Sequence, residues 1–364
     1  MEGKMHEDTM SEELAERLFT GMLATLETFT IYVGVRLGLY SALHQLETAT
    51  PTALAEAAGI HRRYAREWLE QQAVAGLAER TTANHADPYS WTYRLPEANV
   101  PVLLDPDSPY HLGASARFMA GIAGTLPELL EAFRSGEGVP YASYGDDTRL
   151  GIAELNRPMY RNDLVEGWLS AMPDVGQRLA EPGARVLDLG CGTGWSTIAL
   201  AEAFPHAQVH GVDLDHRSIE IARSNAIERG LDSRIVFTSG DAGEHQTSHP
   251  YDLVCIFECL HDMADPVSAL STARNLLASD GVAFVADEKV AETYFSPGDE
   301  VERLNYAFSV LHCLPATRAE GAVVEGGTVL RPAVVREYAK SARYRTCSVL
   351  PIEHDLWRFY RLEP

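Results

Sequence analysis

The chain has 364 residues, 46% of them hydrophobic, enough for two domains with sizeable cores. Its 52 acidic against 30 basic side chains give a formal charge of −22, a surface that repels nucleic acid and anionic membranes. The five cysteines (Cys191, Cys255, Cys259, Cys313, Cys347) form no Cys-x-x-Cys pair, which argues against a disulfide framework or a zinc site.

Residues 1–10 are polar and acidic, with no secretory apolar core, and no uninterrupted apolar run reaches bilayer length, so a cytoplasmic location is expected. Ser11-Glu12-Glu13 opens a helix in which Leu14, Leu18, Met22, Leu26 and Phe29 recur at helical spacing. Residues 31–43 carry a second series with Val33, Leu37, Leu39 and Tyr40. Apolar residues fall on more than one face of each, so both helices are expected to be covered, by a second copy of the chain. Residues 50–59 have a cap, Pro51 in the first turn and a glycine stop, and residues 60–76 give the next helix. Residues 78–93 alternate around Asn84, Asp87 and Pro88, which suits a β-hairpin. Two helices at a tight turn and a hairpin spell a winged helix, a fold that often binds DNA. His61-Arg62-Arg63 and Arg66 make the start of its second helix basic, but acids dominate residues 1–95.

Pro101, Pro106 and Pro109 mark a connector, and residues 118–133 and 162–179 read as helices. Between them, the glycine-rich residues 136–145 hold Tyr141 and Tyr144, candidates to cover a pocket. Met159-Tyr160-Arg161 is placed to approach a ligand carboxylate.

The chain then reaches Val186-Leu187-Asp188-Leu189-Gly190-Cys191-Gly192-Thr193-Gly194, an apolar run ending in three alternate glycines, with a helix over residues 196–204 behind it. Strand, glycine turn and helix open a nucleotide-binding α/β domain, because glycines let backbone N–H groups approach a ligand closely. A phosphate-binding loop needs Lys and then Ser or Thr after its last glycine, where Trp195 and Ser196 stand. A dinucleotide fingerprint needs a small residue where Trp195 stands. Asp188 would repel a pyrophosphate but can accept from an ammonium, so a ligand cationic near this turn is expected.

Residues 208–212 form the second strand, and Asp213 follows about 20 residues beyond the turn, where an acid can take both ribose hydroxyls. Leu214 comes next, and Asp215 is expected to cap the helix of residues 217–229. Residues 234–238 are a third strand running into Ser239-Gly240-Asp241-Ala242. Residues 251–259 are the fourth, with Phe257 and Glu258 where the chain passes the ligand. Next comes Leu260-His261-Asp262-Met263-Ala264-Asp265-Pro266. A histidine with an ordinary pKa of about 6.5 is mostly neutral at cellular pH and can take a proton. Asp262 and Asp265 alone do not define a metal site, and Asp265 reads as a helix cap; no metal is expected. Residues 281–286 are the fifth strand, closed by Asp287-Glu288. An inserted apolar helix at 301–314 carries His312 and is expected to wall a pocket. A helix at 331–343 and an antiparallel pair at 347–352 and 356–362 end the chain.

Asp188-x-Gly190-x-Gly192-x-Gly194, with Asp213 and Asp241 at successive strand ends, resembles the class I S-adenosylmethionine-dependent methyltransferases. The resemblance implies S-adenosyl-L-methionine as cofactor, held by Asp188, Gly190, Gly192, Gly194, Asp213, Leu214, Asp241, Ala242, Phe257 and Glu258, with Asp241 accepting from the adenine amino group. Leu260-His261-Asp262 resembles the Leu-His-Asp-Trp stretch of caffeic-acid-type O-methyltransferases, with Met263 in place of the Trp. There the histidine is the general base and a carboxylate at the next strand end orients it; Asp287 matches that place better than Glu288. Arg36-Leu37-Gly38-Leu39-Tyr40, Leu54-Ala55 and Ala75-Gly76-Leu77 look like the N-terminal dimerisation domain of these enzymes.

The implied fold is α/β: a Rossmann-like seven-stranded methyltransferase sheet with a mostly helical winged-helix domain. Its expected parts are a winged-helix dimerisation domain (1–100), a helical connector and pocket cover (101–180) and a cofactor-binding domain (181–364). The implied reaction is methyl transfer to a hydroxyl of a small aromatic or polyketide-like secondary metabolite. His261, Asp287 and Glu288 would be catalytic, and Tyr141, Tyr144 and His312 would line the substrate pocket. A homodimer without nucleic-acid or membrane partners is expected. Two other readings stay open: an N- or C-methyltransferase or non-methylating relative, and a cofactor-sensing DNA-binding regulator.

Overall fold

Backbone packing divides the chain into Met1–Ala120 and Gly121–Pro364. The computed structural model describes the backbone of residues 2–82, 87–324 and 326–364, and side chains from residue 9 onward. The segment expected as a separate connector, residues 101–180, is shared between the two units.

In the first unit, the two expected N-terminal helices are one, Glu2–Arg36; Thr30 between them turns its hydroxyl back onto the Glu27 carbonyl at 2.7 Å, so it does not compete for the helix backbone N–H groups. The chain breaks instead at Gly38, whose φ of +65° suits glycine, before the helix Leu39–Gln45. Thr50 caps Pro51–Ala58, and Arg62–Val74 follows. Leu39, Tyr40, Leu43, Leu54, Trp68 and Leu69 form the core, and Trp68 Nε1 donates to the Thr30 carbonyl at 3.0 Å. Strands β1 (Glu79–Arg80) and β2 (Tyr93–Arg94) pair antiparallel as the expected hairpin. Its Asn84 lies outside the described residues, and Asp87 caps a short turn at Pro88–Ser90. Leu14, Leu18, Phe19, Met22, Leu23 and Leu26 are 48–64% exposed, so the described residues of this unit leave them uncovered. By length and apolarity Thr9–Arg36 also meets the measure of a membrane-crossing helix. The sequence reading passed over it because polar residues such as Glu16, Arg17 and Glu27 interrupt its apolar run.

The second unit is built on β3 (Arg185–Leu189), β4 (Gln208–Asp213), β5 (Ile235–Ser239), β6 (Tyr251–Phe257), β7 (Leu277–Glu288), β8 (Thr346–Val349) and β9 (Trp357–Glu363). Their order is β5-β4-β3-β6-β7-β9-β8, parallel from β5 to β7, with β9 antiparallel to both neighbours. Helices cover both faces, so most of β3 and β6 and residues 281–287 of β7 are buried continuously rather than at alternate residues. Successive strands run outward from β3 on one side and from β6 on the other, which opens a crevice between the carboxyl ends of β3 and β6. The helix expected at 162–179 is broken into a wide turn at Leu164–Trp168, a tight one at Leu169–Ala171 and the helix Pro173–Ala180, since Pro173 can start a helix but not continue one.

Candidate active site

The glycine turn leaves β3 with Gly190, Gly192 and Gly194 all at positive φ (+74°, +52° and +86°). A Cβ on Gly192 would project into open space, whereas one on Gly194 would sit 2.7 Å from the Phe237 ring. The first borders open space in the crevice and the second is closed by packing. Gly192 N–H donates to Asp213 Oδ2 and Asp215 N–H to Asp213 Oδ1, both at 2.8 Å. These bonds aim the carboxylate at the end of β4 across the turn. Burial raises the Asp213 carboxyl to about 6 despite these bonds.

Asp188 is placed differently from the expectation of an acid facing an ammonium. It is 1% exposed beneath the turn, and its Oδ2 accepts from the Ser196 and Thr197 hydroxyls at 2.6 Å each. It ties the turn to the helix Trp195–Ala203 and does not border the crevice. Arg161 likewise pairs with Glu202 instead of approaching a ligand, while Tyr160 of the same segment does border the crevice.

The crevice holds two adjoining cavities. The larger, about 260 Å³, is bordered by Gly190, Gly192, Asp213, Leu214, Asp241 and Ala242, and further along by Tyr141, Glu258, Asp262, Met263, His312 and Glu320. The smaller, about 90 Å³, is bordered by Arg149, Asn156, Tyr160, Thr193, Trp195 and Phe257. Asp213 and Asp241 therefore present two acceptors at successive strand ends, and the open face of Gly192 lies between the cavities. This donor and acceptor set fits an adenosyl group with an amino-acid tail. Asp215 caps the helix His216–Glu228, as expected, and also holds Arg149 at 2.7 Å.

At the end of β6, His261 is buried between two carboxylates. Its Nδ1 lies 2.8 Å from Asp287 Oδ1 on β7, its backbone N–H donates to Asp287 Oδ2 at 3.3 Å, and its Nε2 lies 3.3 Å from Asp262 Oδ1. Burial alone would push the imidazole down, but Asp262 and Asp287 outweigh it and hold His261 well above its usual value. The expectation of an ordinary, mostly neutral histidine does not hold, because the sequence did not show that two acids flank the ring. Asp262, not His261, borders the cavity. Glu288 does not contact the ring; burial, and then Glu258, hold its carboxyl far above the ordinary range. Asp265 accepts from Ser268 N–H at 2.8 Å as a helix cap.

Tyr141 and His312 border the larger cavity with ring centres 5.8 Å apart. Tyr144 is buried behind them, 4.6 Å from the His312 ring, and its hydroxyl donates to the Leu311 carbonyl at 3.0 Å. Burial lowers the His312 pKa. The sequence reading missed Arg149, Asn156 and Glu320. They come from helices and turns whose inward faces carry no motif; the (i, i+3) pair Asp146 and Arg149 was the one available signal.

Residues 180–317 match the family model described as a methyltransferase domain, and residues 25–104 the one described as an Rv2258c-like winged HTH domain. A ubiquinone biosynthesis O-methyltransferase of Vibrio cholerae is 34% identical over 102 residues, 28% of this chain and 41% of the relative. One of Haemophilus ducreyi is 35% identical over 114 residues, 29% of this chain and 45% of the relative, so the chain spans less than half the length of these curated relatives. Among solved structures, the mitomycin 7-O-methyltransferase superposes with a TM-score of 0.66 at 22% identity, covering 98% of this chain and 99% of that one. Human N-acetylserotonin methyltransferase in complex with S-adenosylmethionine gives 0.69 at 17% identity, over 96% and 97% of the two chains. A riboflavin-derivative dimethyltransferase from Streptomyces davawensis gives 0.61 at 18%, over 96% and 98%. At these identities the solved structures show the shared fold. The chain thus joins a methyltransferase domain at residues 180–317 to an N-terminal winged helix-turn-helix domain at residues 25–104.

Proposed function

We propose that this protein transfers a methyl group to a hydroxyl of a small aromatic or polyketide-like metabolite, with His261 as general base. Bound S-adenosylmethionine supplies an electrophilic methyl group on a sulfonium. On this reading Asp213 takes the ribose hydroxyls, Asp241 and Ala242 the adenine, and the glycine turn with the smaller cavity the amino-acid end. Tyr141, Met263 and His312 give the acceptor a partly aromatic wall. Asp287 holds Nδ1 of His261 and leaves Nε2 to take the hydroxyl proton at the Asp262 edge of the cavity. The observation that carries the reading is the imidazole fixed between Asp287 and Asp262 beside the cavity. Positioning of acceptor and methyl group in line would supply much of the rate.

In His261→Ala, turnover on an identified acceptor should fall by about 10²–10⁴ while cofactor affinity barely changes. Loss of cofactor binding would make His261 structural. A second reading is favoured by one observation: His312 borders the cavity itself, and its lowered pKa keeps it neutral near pH 7. Near-wild-type turnover in His261→Ala, with a large loss in His312→Ala, would move the base there. The same proposal includes a homodimer formed through the exposed face of the helix Glu2–Arg36.

A further inference from the structure

The two cavities share six residues: Tyr141, Ile152, Gly190, Gly192, Ser218 and Glu258. Asp213 and Asp241 mark the nucleoside end on one side of this junction, and Thr193 and Trp195 the amino-acid end on the other. A molecule that joins adenosine to an amino acid through sulfur, lying across both, has its sulfur at the junction. Glu258 is the one carboxylate there. We propose that Glu258 recognises the positive charge of the sulfonium, so that the methyl donor binds more tightly than its neutral thioether product. This rests on the placement of S-adenosylmethionine across the two cavities.

Glu258 follows the last residue of β6 and has φ +51°, a left-handed conformation that few non-glycine residues adopt. Its N–H donates to the Ala286 carbonyl on β7 at 2.7 Å, and its Oε2 accepts from Asn156 of the helix Gly145–Asn162. The backbone is thus held by β7 and the carboxylate by Asn156. No Lys or Arg among the described residues borders the larger cavity, and Arg149, beside the smaller one, is held by Asp215. The titratable groups that face Glu258 are His261 and Asp262 from the turn after β6, Asp287 and Glu288 from β7, and Tyr160. His261, the cation among them, already lies between Asp262 and Asp287. Burial pushes the Glu258 carboxyl up to about 7, with His261 and Asn156 pulling the other way. A sulfonium beside it favours the charged form. When the methyl group leaves, the S–C electron pair stays on sulfur, the charge is gone, and the product loses the contact.

Calorimetry with S-adenosylmethionine and S-adenosylhomocysteine on the wild type and Glu258→Gln tests this. Both ligands carry the α-ammonium, so the ratio of their affinities isolates the sulfonium. In Glu258→Gln the donor should weaken by about tenfold or more, with product affinity unchanged within about threefold. Equal weakening of both ligands, or an unchanged ratio, overturns the proposal. Should Glu258→Gln fail to fold by circular dichroism, Asn156→Ala serves instead. It should lower the same ratio by about threefold, and no change there also overturns the proposal. A wild type that binds neither ligand would instead remove the cofactor placement on which the inference stands.

Discussion

At the scale of single residues, His261 shows how neighbours change a residue that sequence alone reads as ordinary. A proton acceptor must be deprotonated, yet Asp262 and Asp287 hold the imidazole protonated well above its usual value. The fraction able to act therefore rises with pH, by about tenfold per unit until the raised pKa is reached. Turnover is expected to keep climbing above pH 7, where an unperturbed histidine would already be levelling off. Asp262→Asn removes one of the two carboxylates and should move this climb to lower pH. A flat profile in the wild type, or no displacement in Asp262→Asn, would remove His261 from the base role. The strand-end acids Asp213 and Asp241 were legible from their spacing after the glycine turn. Asp188 was not, because the hydroxyls that claim it belong to Ser196 and Thr197 on the following helix. Glu258 was readable as a strand-end residue, but its place between two cavities depends on Asn156, about a hundred residues earlier in the chain.

At the scale of elements, strand, glycine turn and helix were readable in full, since each carries its own local signal. What periodicity could not give was the end of an element set by a contact elsewhere. The N-terminal helix runs through to Arg36, and the helix expected from residue 162 is broken at Pro173. The glycine turn itself separates stability from binding. Gly194→Ala places a methyl group 2.7 Å from Phe237 and 3.0 Å from Ala222 at φ +86°. Left-handed strain and overpacking together should cost at least about 2 kcal/mol in urea unfolding. Gly192→Ala meets open space, so it should cost only about 1–2 kcal/mol of backbone strain while weakening cofactor binding by about tenfold or more. Equal stability losses with equal affinities would show that the open face of Gly192 is not where the ligand lies.

For the whole molecule, the unresolved physical demand is the N-terminal helix. Its Leu14, Leu18, Phe19, Met22, Leu23 and Leu26 lie about half or more exposed along several turns. A contiguous apolar surface of this kind marks an interface. Three covers compete: a second copy, a bilayer, and DNA drawn to the winged helix-turn-helix domain that follows. The formal charge of −22 opposes an anionic membrane and the phosphate backbone, because both need cationic side chains to offset their own charge. The C-terminal part of the same helix is committed to protein packing, with Ile31 and Val35 against the core of the first unit and Thr30 bonded to Trp68. A second copy satisfies the apolar face at no electrostatic cost beyond that between like-charged surfaces, which salt screens. Light scattering in detergent-free buffer should therefore return twice the 40.0 kDa chain mass. Leu18→Glu with Met22→Glu, which places charges in the middle of the exposed face, should shift the equilibrium to monomer without loss of helical signal. A wild-type monomer would end the dimer assignment. A wild type that needs detergent to stay dispersed would favour the bilayer, and salt-sensitive, sequence-selective retention of duplex DNA would favour the regulator.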